Sequence, residues 1–165
     1  MNNDRQSRIT KLVRAHHDAM AAAQLADRVE AACKTVVVVE HQAVSTPYNT
    51  HDIWKLVTPW EAIPDFTISN DGSQPMIEVW VRFCLSQVTL PNIILFTVSE
   101  GPASWMKLEL KEGVTSVLEL WQLASRSDCI FCAVDGEWVV VFTSDEHTYG
   151  ATIYSGEKLR ANSFQ

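Results

Sequence analysis

The densest polar cluster in the sequence is Asp145-Glu146-His147-x-Tyr149, and its residue types could do chemistry. A carboxylate beside a histidine could act in acid/base catalysis or bind a metal ion, but either role needs further groups that converge from elsewhere in the fold. Two simpler interpretations are open. The stretch could be a solvated turn, or it could be a loop that recognises a partner, since loops held by a rigid sheet often carry function.

The cysteines form a weaker candidate site. Cys129-x-x-Cys132 has the spacing of half a zinc site or of a redox motif. In an extended strand, however, positions i and i+3 point to opposite faces, so the two thiols diverge. Together with Cys33 and Cys84, they are expected to be buried structural residues.

Sequence motifs of nucleotide-binding and hydrolytic enzymes are not found. The six glycines are scattered, none lies in a Gly-rich phosphate loop, and neither G-x-S-x-G nor H-E-x-x-H occurs. His16 and His17 are neighbours on a predicted helix, point in different directions and have no metal-binding partner at i+4. We therefore expect a protein that is not an enzyme and that has no cofactor and no metal site.

The aromatic residues suggest binding instead. Six tryptophans are many for this length; Trp105 falls on the polar side of a predicted strand, and Trp60 lies between prolines in an irregular stretch. An aromatic side chain that cannot be buried within its own chain is a candidate interface anchor. Burial beneath a loop or the N-terminal helix is the alternative. The candidate partner-binding surface has six residues: Trp60, Trp105, Asp145, Glu146, His147 and Tyr149.

A sheet has to position these residues, and its centre is predicted at Cys129 to Ser144. Asp135-Gly136 is the signal for a two-residue type I′ turn, and the resulting hairpin places Cys132 opposite Val139. One face then carries Ile130, Cys132, Val134, Val139 and Val141, and the other carries Phe131, Ala133, Trp138, Val140 and Phe142. Both faces are apolar, so each must be covered, either by one of the two predicted helices or by a partner.

Two helices and several strands are predicted around this hairpin. Apolar residues at spacings of three and four predict a long N-terminal helix over 4–33. Ser116-x-x-Glu119 predicts a capping box that opens a second helix over about 116–126. Strands are predicted over 35–41, 76–90, 93–98, 105–110 and 151–154. The segment 42–66 is left without a firm assignment: Ile53, Trp54 and Val57 fit a short helical face, but Pro59 and Pro64 limit any helix there to a turn or two. The tail 155–165 is expected to fray.

Consecutive strands joined by short turns pair antiparallel. The predicted fold is therefore a single α+β domain over 1–165, with a mostly antiparallel sheet of about six or seven strands and the two helices packed on it.

The net charge of −7 is unevenly distributed along the chain. Residues 1–34 contain six Lys or Arg and four Asp or Glu, a balance of +2; residues 35–165 contain seven and sixteen, a balance of −9. The acidic body argues against nucleic acid or an anionic membrane as the partner, although solubility alone would also account for it. No apolar run approaches the roughly 20 residues needed to cross a bilayer, and no secretory signal is visible. A cytoplasmic location is expected.

These features favour a protein-binding protein. Our first hypothesis is an immunity or inhibitor protein, which neutralises a cognate bacterial toxin by direct binding. Acidic side chains would steer the encounter with a basic toxin domain, and aromatic side chains would hold it. A secretion-chaperone-like dimer is the second hypothesis, because such proteins are also small, acidic and α+β. A small enzyme that uses His147 with Asp145 is the third.

Overall fold

A computed structural model describes residues 2–42, 44–57, 62–99 and 104–162. It confirms the predicted α+β fold, in which helices pack on a seven-stranded antiparallel sheet. The helices within these residues are α1 (Asn2–Ala32), α2 (Thr50–Val57), α3 (Gln74–Leu85), α4 (Val114–Leu123) and α5 (Gly156–Asn162). The strands are β1 (Val36–Glu40), β2 (Phe66–Ser69), β3 (Ile93–Val98), β4 (Met106–Leu110), β5 (Cys129–Ala133), β6 (Trp138–Ser144) and β7 (Thr148–Ser155).

The central hairpin has the predicted register. The strand order is β1-β4-β3-β5-β6-β7-β2, and neighbouring strands are antiparallel throughout. Cys129 pairs with Phe142, and Cys132 pairs with Val139. The hairpin therefore lies near the middle of the sheet, where both of its faces can be covered.

The turn of this hairpin differs from the predicted type I′ turn. Gly136 has a φ of +75°, but Asp135 does not lie in the left-handed region that type I′ requires at both central positions. The N–H of Gly136 donates to the carbonyl of Ala133 at 2.9 Å, so the turn is centred one residue earlier, on Val134 and Asp135. The Asp135 carboxylate accepts the N–H of Glu137 at 3.1 Å, which supports this shifted turn.

The two faces of the hairpin belong to separate apolar clusters. Phe131, Val140 and Phe142 pack in the larger cluster with α1, α3 and α4, which lie on the same side of the sheet. Ile130 and Val141 pack in the smaller cluster with α2, α5 and residues just before α2. The expectation that each predicted helix, or a partner, would cover one face is wrong. Instead, the second face is covered by two short helices: α2, where the sequence showed a short helical face at Ile53, Trp54 and Val57, and α5, which was not predicted.

Helix α3 replaces the predicted strand over 76–90. Its buried residues recur at the spacing of a helix face; they are Ile77, Trp80, Val81, Cys84 and Leu85. Val79, which the strand alternation placed in the core, is 67% exposed. Pro75 lies in the first turn, where its missing N–H is tolerated. The strand prediction was wrong because β-branched residues at alternate positions imitate a strand.

The predicted capping box is also wrong. Helix α4 begins at Val114, and no side chain caps its first turn. The Ser116 hydroxyl donates to the Thr35 carbonyl at 2.8 Å, and Glu119 Oε2 accepts the N–H and hydroxyl of Thr35 at 2.9 and 2.8 Å. These two side chains therefore attach the start of β1 to α4.

The two ends of the chain differ in how they pack. The segment 155–162 is not frayed as expected, because β7 extends to Ser155 and Leu159 of α5 is only 2% exposed. Helix α1 packs on the sheet through Leu25, Ala26 and Val29 of its second half, whereas its first half is exposed. No helix within the described residues is long and apolar enough to cross a membrane.

Candidate functional site

The predicted polar cluster lies at the tip of the β6–β7 hairpin. At this end of the sheet β3 ends, β5 begins and β2 runs into the turn before α3. The N–H of Asp145 donates to the carbonyl of Thr148 at 3.0 Å and closes the tip. Asp145, Glu146 and His147 are thus brought together by a tight local turn.

The Asp145 carboxylate organises this turn. Its Oδ1 accepts the N–H groups of His147 and Thr148 at 2.8 and 2.7 Å, and its Oδ2 accepts the Thr148 hydroxyl at 2.8 Å. These donors, the His147 amide first, lower the pKa of the Asp145 carboxyl. Both oxygens are therefore engaged by the turn itself, and the hydrogen bond between Asp145 and His147 is made by the His147 main chain.

Glu146 and His147 project from the tip. Their side chains are 88% and 82% exposed, and Glu146 Oε2 lies 3.9 Å from His147 Nε2. Asn70, in the turn that follows β2, braces the main chain beneath them. Its N–H donates to the His147 carbonyl and its Nδ2 to the Glu146 carbonyl, each at 3.0 Å. The backbone of the tip is held from two sides while its charged side chains face solvent.

Tyr149 packs at the base of the tip. Its half-buried ring lies 5.0 Å from the Trp121 ring at an interplanar angle of 79°. The Arg126 guanidinium carbon lies 5.7 Å from the Trp121 centroid and 5.9 Å from the Tyr149 centroid. Arg126 also donates to the side chain of Gln74 at the start of α3. The Arg126 side chain therefore contacts α4, β7 and α3, and the exposed part of the Tyr149 ring lies beside its guanidinium group.

Arg126 was not among the residues that the sequence predicted. It follows α4 in an unusual backbone conformation: Ser125 and Arg126 both have a φ of 55°. A left-handed conformation costs a non-glycine residue about 1–2 kcal/mol, and such strained residues cluster at functional sites. Helices often end at a glycine, which adopts the left-handed conformation without strain. No glycine follows α4, and this is the only feature of the sequence that indicates a strained end to the helix. We call Asn70, Arg126, Glu146, His147 and Tyr149 together the hairpin-end surface.

The two predicted tryptophan anchors are not part of this surface. Trp105 is 4% exposed and packs in the smaller cluster, and its Nε1 donates to the Tyr48 carbonyl at 2.7 Å. Of the two interpretations that the sequence left open for Trp105, burial beneath a loop is the one observed, because residues before α2 cover that face of the sheet. Trp60 lies outside the described residues.

A cavity of about 300 Å³ lies beside the tip. Asp128, Thr143 and Asp145 line it, but His147 does not. Asp128 Oδ1 accepts the N–H of Ser144 at 2.8 Å, so this carboxylate, like that of Asp145, supports the backbone of the hairpin. The cavity does not bring the imidazole and the carboxylates together.

The four cysteines are buried and free. Cys129 and Cys132 lie in different clusters, on opposite faces of the sheet as predicted. Burial raises the thiol pKa of Cys33 to about 11 and those of Cys84 and Cys132 to about 12. Across the described residues, no three His, Cys, Asp or Glu side chains lie close enough together to hold a metal ion.

Exposed apolar side chains occur on two helices. On α3, Met76 and Val79 are 59% and 67% exposed. Phe83 is 51% exposed, and the centroid of its ring lies 5.2 Å from that of Phe66. On α1, they are Ile9, Leu12, Val13 and Met20. Adjacent exposed apolar residues of this kind often mark protein interaction sites.

Comparison with known proteins identifies no relative. No protein-family model matches the chain, and no curated protein or solved structure matches it significantly.

Proposed function

We propose that this protein is an immunity or inhibitor protein, which neutralises a cognate bacterial toxin by binding it directly through the hairpin-end surface. The observation that carries the proposal is the braced β6–β7 tip. Asp145 and Asn70 hold its main chain, while the side chains of Glu146 and His147 extend into solvent. Such a loop binds without the entropic cost of being ordered, so its exposed groups can be used for recognition.

The charge of the chain favours a basic partner. Residues 35–165 have a balance of −9, which would attract a basic toxin domain and accelerate the encounter. Beside Glu146, the surface presents Tyr149 and Arg126, two residue types that are enriched among the residues that dominate binding energy at interfaces. Glu146 and the acidic body would steer the partner, and the aromatic and guanidinium groups would hold it.

The test uses the protein encoded by the neighbouring reading frame, expressed and purified as the partner. Association is measured by stopped-flow and affinity by calorimetry, for the wild type and for Glu146→Lys. We expect charge reversal to slow association about tenfold at low salt, and less at high salt, because an exposed charge acts mainly on the encounter rate. Glu137→Lys is the matched control: the same exposed residue type, in the turn at the opposite end of the sheet.

Two results would count against the proposal. Equal slowing by Glu146→Lys and Glu137→Lys would show that net charge, rather than the hairpin-end surface, sets the rate. Failure of the wild type both to bind the neighbouring protein and to protect cells from its toxicity would reject the immunity function.

A secretion-chaperone-like dimeric protein is the second candidate, and the exposed apolar residues of α1 favour it, since a dimer could bury them. It predicts a stable homodimer that also binds a secreted protein, so a monomer in light scattering would count against it. We do not propose the enzyme that uses His147 with Asp145, because the turn engages both oxygens of the Asp145 carboxylate.

A further inference from the structure

The Arg126 guanidinium has no carboxylate partner among the described residues. The chain contains 20 Asp or Glu, yet the ion pairs within the described residues join other side chains. The side-chain acceptor that Arg126 does have is the amide oxygen of Gln74, which is neutral. A guanidinium group carries five N–H donors, so donors remain for an acceptor that comes from outside the chain.

Neighbouring side chains hold this cation in place. The Arg126 guanidinium carbon lies 5.7 Å from the centroid of the Trp121 ring and 5.9 Å from that of the Tyr149 ring, and Gln74 accepts a hydrogen bond from one of its nitrogens. The residue as a whole is only partly exposed. Because the planar group is already positioned, little conformational entropy is lost when an acceptor binds to it.

The backbone of Arg126 is also fixed. Ser125 and Arg126 both have a φ of 55°, a left-handed conformation that is unfavourable for residues other than glycine. The N–H of Arg126 donates to the carbonyl of Trp121 at 2.9 Å, and the N–H of Ser127 donates to that of Ala124 at 2.9 Å. Strain of this kind persists where surrounding contacts maintain it, and it is concentrated at sites that bind ligands.

We propose that Arg126 binds a carboxylate on the surface of the partner protein, an inference that rests on the proposed function. A carboxylate presents two oxygens in the geometry that the guanidinium N–H groups match, and such charged hydrogen bonds are about twice as strong as neutral ones. The rings of Trp121 and Tyr149 displace water from beside the guanidinium group. The lower local dielectric constant strengthens its attraction to an anion.

The charge of the chain favours a protein carboxylate over a phosphate of nucleic acid. Both anions fit a guanidinium group. Residues 35–165, however, have a balance of −9, and they would repel a polyanion. A basic protein surface that contains one acidic side chain would be attracted by these residues and would still supply the anion that Arg126 lacks.

Calorimetry with the protein encoded by the neighbouring reading frame separates this role from a general effect of charge. Loss of a positive charge makes the acidic chain more attractive to a basic partner, so without a specific carboxylate Arg126→Gln should bind more tightly. We expect the opposite, a dissociation constant raised at least about tenfold, because the carboxylate of the partner loses its hydrogen bonds. Arg126→Lys keeps the charge but not the planar group and should restore binding only in part.

Arg160→Gln is the matched control. Arg160 is an exposed residue of α5, which follows the end of β7 that is remote from the β6–β7 tip. This substitution removes the same charge from a different surface, so it should leave the dissociation constant within about twofold of the wild-type value or lower it. Circular dichroism verifies that each variant is folded.

Titration of the free protein with sodium acetate tests the same group without the partner. Nuclear magnetic resonance follows the Arg126 side-chain N–H and the Tyr149 amide, with sodium chloride at equal ionic strength as the reference. We expect shifts that saturate with a dissociation constant on the order of tens of millimolar in acetate, that are smaller in chloride and that are absent from Arg126→Gln.

The outcomes distinguish this proposal from the immunity function. Arg126→Gln that binds the partner as tightly as the wild type, or more tightly, would overturn the proposal and leave the immunity function intact. Failure of the wild type to bind the neighbouring protein would reject the immunity function, and the acetate titration would still decide whether Arg126 binds a carboxylate. Acetate shifts no larger than those in chloride would overturn the proposal. Binding of a single-stranded oligonucleotide that Arg126→Gln abolishes would also overturn it, in favour of a phosphate.

Discussion

Trp105 lies on the face of the sheet that is covered by α2 and α5. Its substitution tests whether this face is part of the core or a binding site for a partner. Its side chain is 4% exposed, it belongs to the cluster that contains Ile53 and Tyr154, and its Nε1 donates to the Tyr48 carbonyl at 2.7 Å. We therefore expect Trp105→Ala to lower the free energy of unfolding.

The size of the effect follows from these contacts. Truncation of a buried tryptophan to alanine costs about 3–5 kcal/mol, from lost burial and from the cavity that remains. Trp105→Phe keeps most of the ring but loses the N–H. Because the Thr46 hydroxyl also donates to the Tyr48 carbonyl, at 3.1 Å, that oxygen keeps one partner. The loss for Trp105→Phe should thus be about 1 kcal/mol, near the net value of one hydrogen bond, plus a small packing term.

The assay is urea unfolding followed by far-UV circular dichroism, since the substitution itself removes a fluorophore. The dependence of the free energy on urea should stay unchanged, so that the midpoint alone reports stability. Val79→Ala, at a position that is 67% exposed, is the control and should cost less than about 0.5 kcal/mol. A loss below about 1 kcal/mol for Trp105→Ala, with weaker binding to a protein partner, would refute the structural role.

Two further predictions concern ionisable groups. The pKa of Asp145 is lowered from its ordinary value of 3.8 in the folded protein. The carboxylate therefore stabilises the fold at pH values above 3.8, and this stabilisation is lost as the pH falls through the pKa of the folded state. The difference in the free energy of unfolding between the wild type and Asp145→Asn should therefore be present at neutral pH and shrink in acid. Unfolding experiments across that pH range measure it. A difference that does not depend on pH would contradict the role of the Asp145 carboxylate in stabilising the turn. The cysteine thiols, with the pKa of Cys33 raised to about 11 and those of Cys84 and Cys132 raised to about 12, should react with an aromatic disulfide reagent at mildly alkaline pH only after unfolding. Rapid reaction of the native protein would show that a thiol is accessible.

The candidate site could be predicted from the sequence only in part. Asp145, Glu146 and His147 come together because they occupy one tight turn, which depends on neighbours in sequence. Arg126 reaches the same surface through the strained end of α4 and through contacts with rings of other elements. Such contacts join residues that are distant in sequence, so no local sequence pattern predicts them.

Helix α3 shows a different limit. Ile77, Val81 and Leu85 are four residues apart, an even spacing that puts them on one face of a strand and also near one another on a helix. The local pattern therefore fits both structures. Packing against α4 and the sheet decides between them, because the helix buries Trp80 and Cys84 beside these residues.

The sequence by itself determined the pairing of the central hairpin and the divergence of Cys129 from Cys132. Both follow from the period of two along a strand and from the short connection between β5 and β6. Only the tertiary structure decided what covers each face of that hairpin, where Trp105 lies and that the apolar residues in the first half of α1 stay exposed. These outcomes depend on which distant elements fill the space above the sheet, and they are settled by the packing of the whole chain rather than by any segment of it.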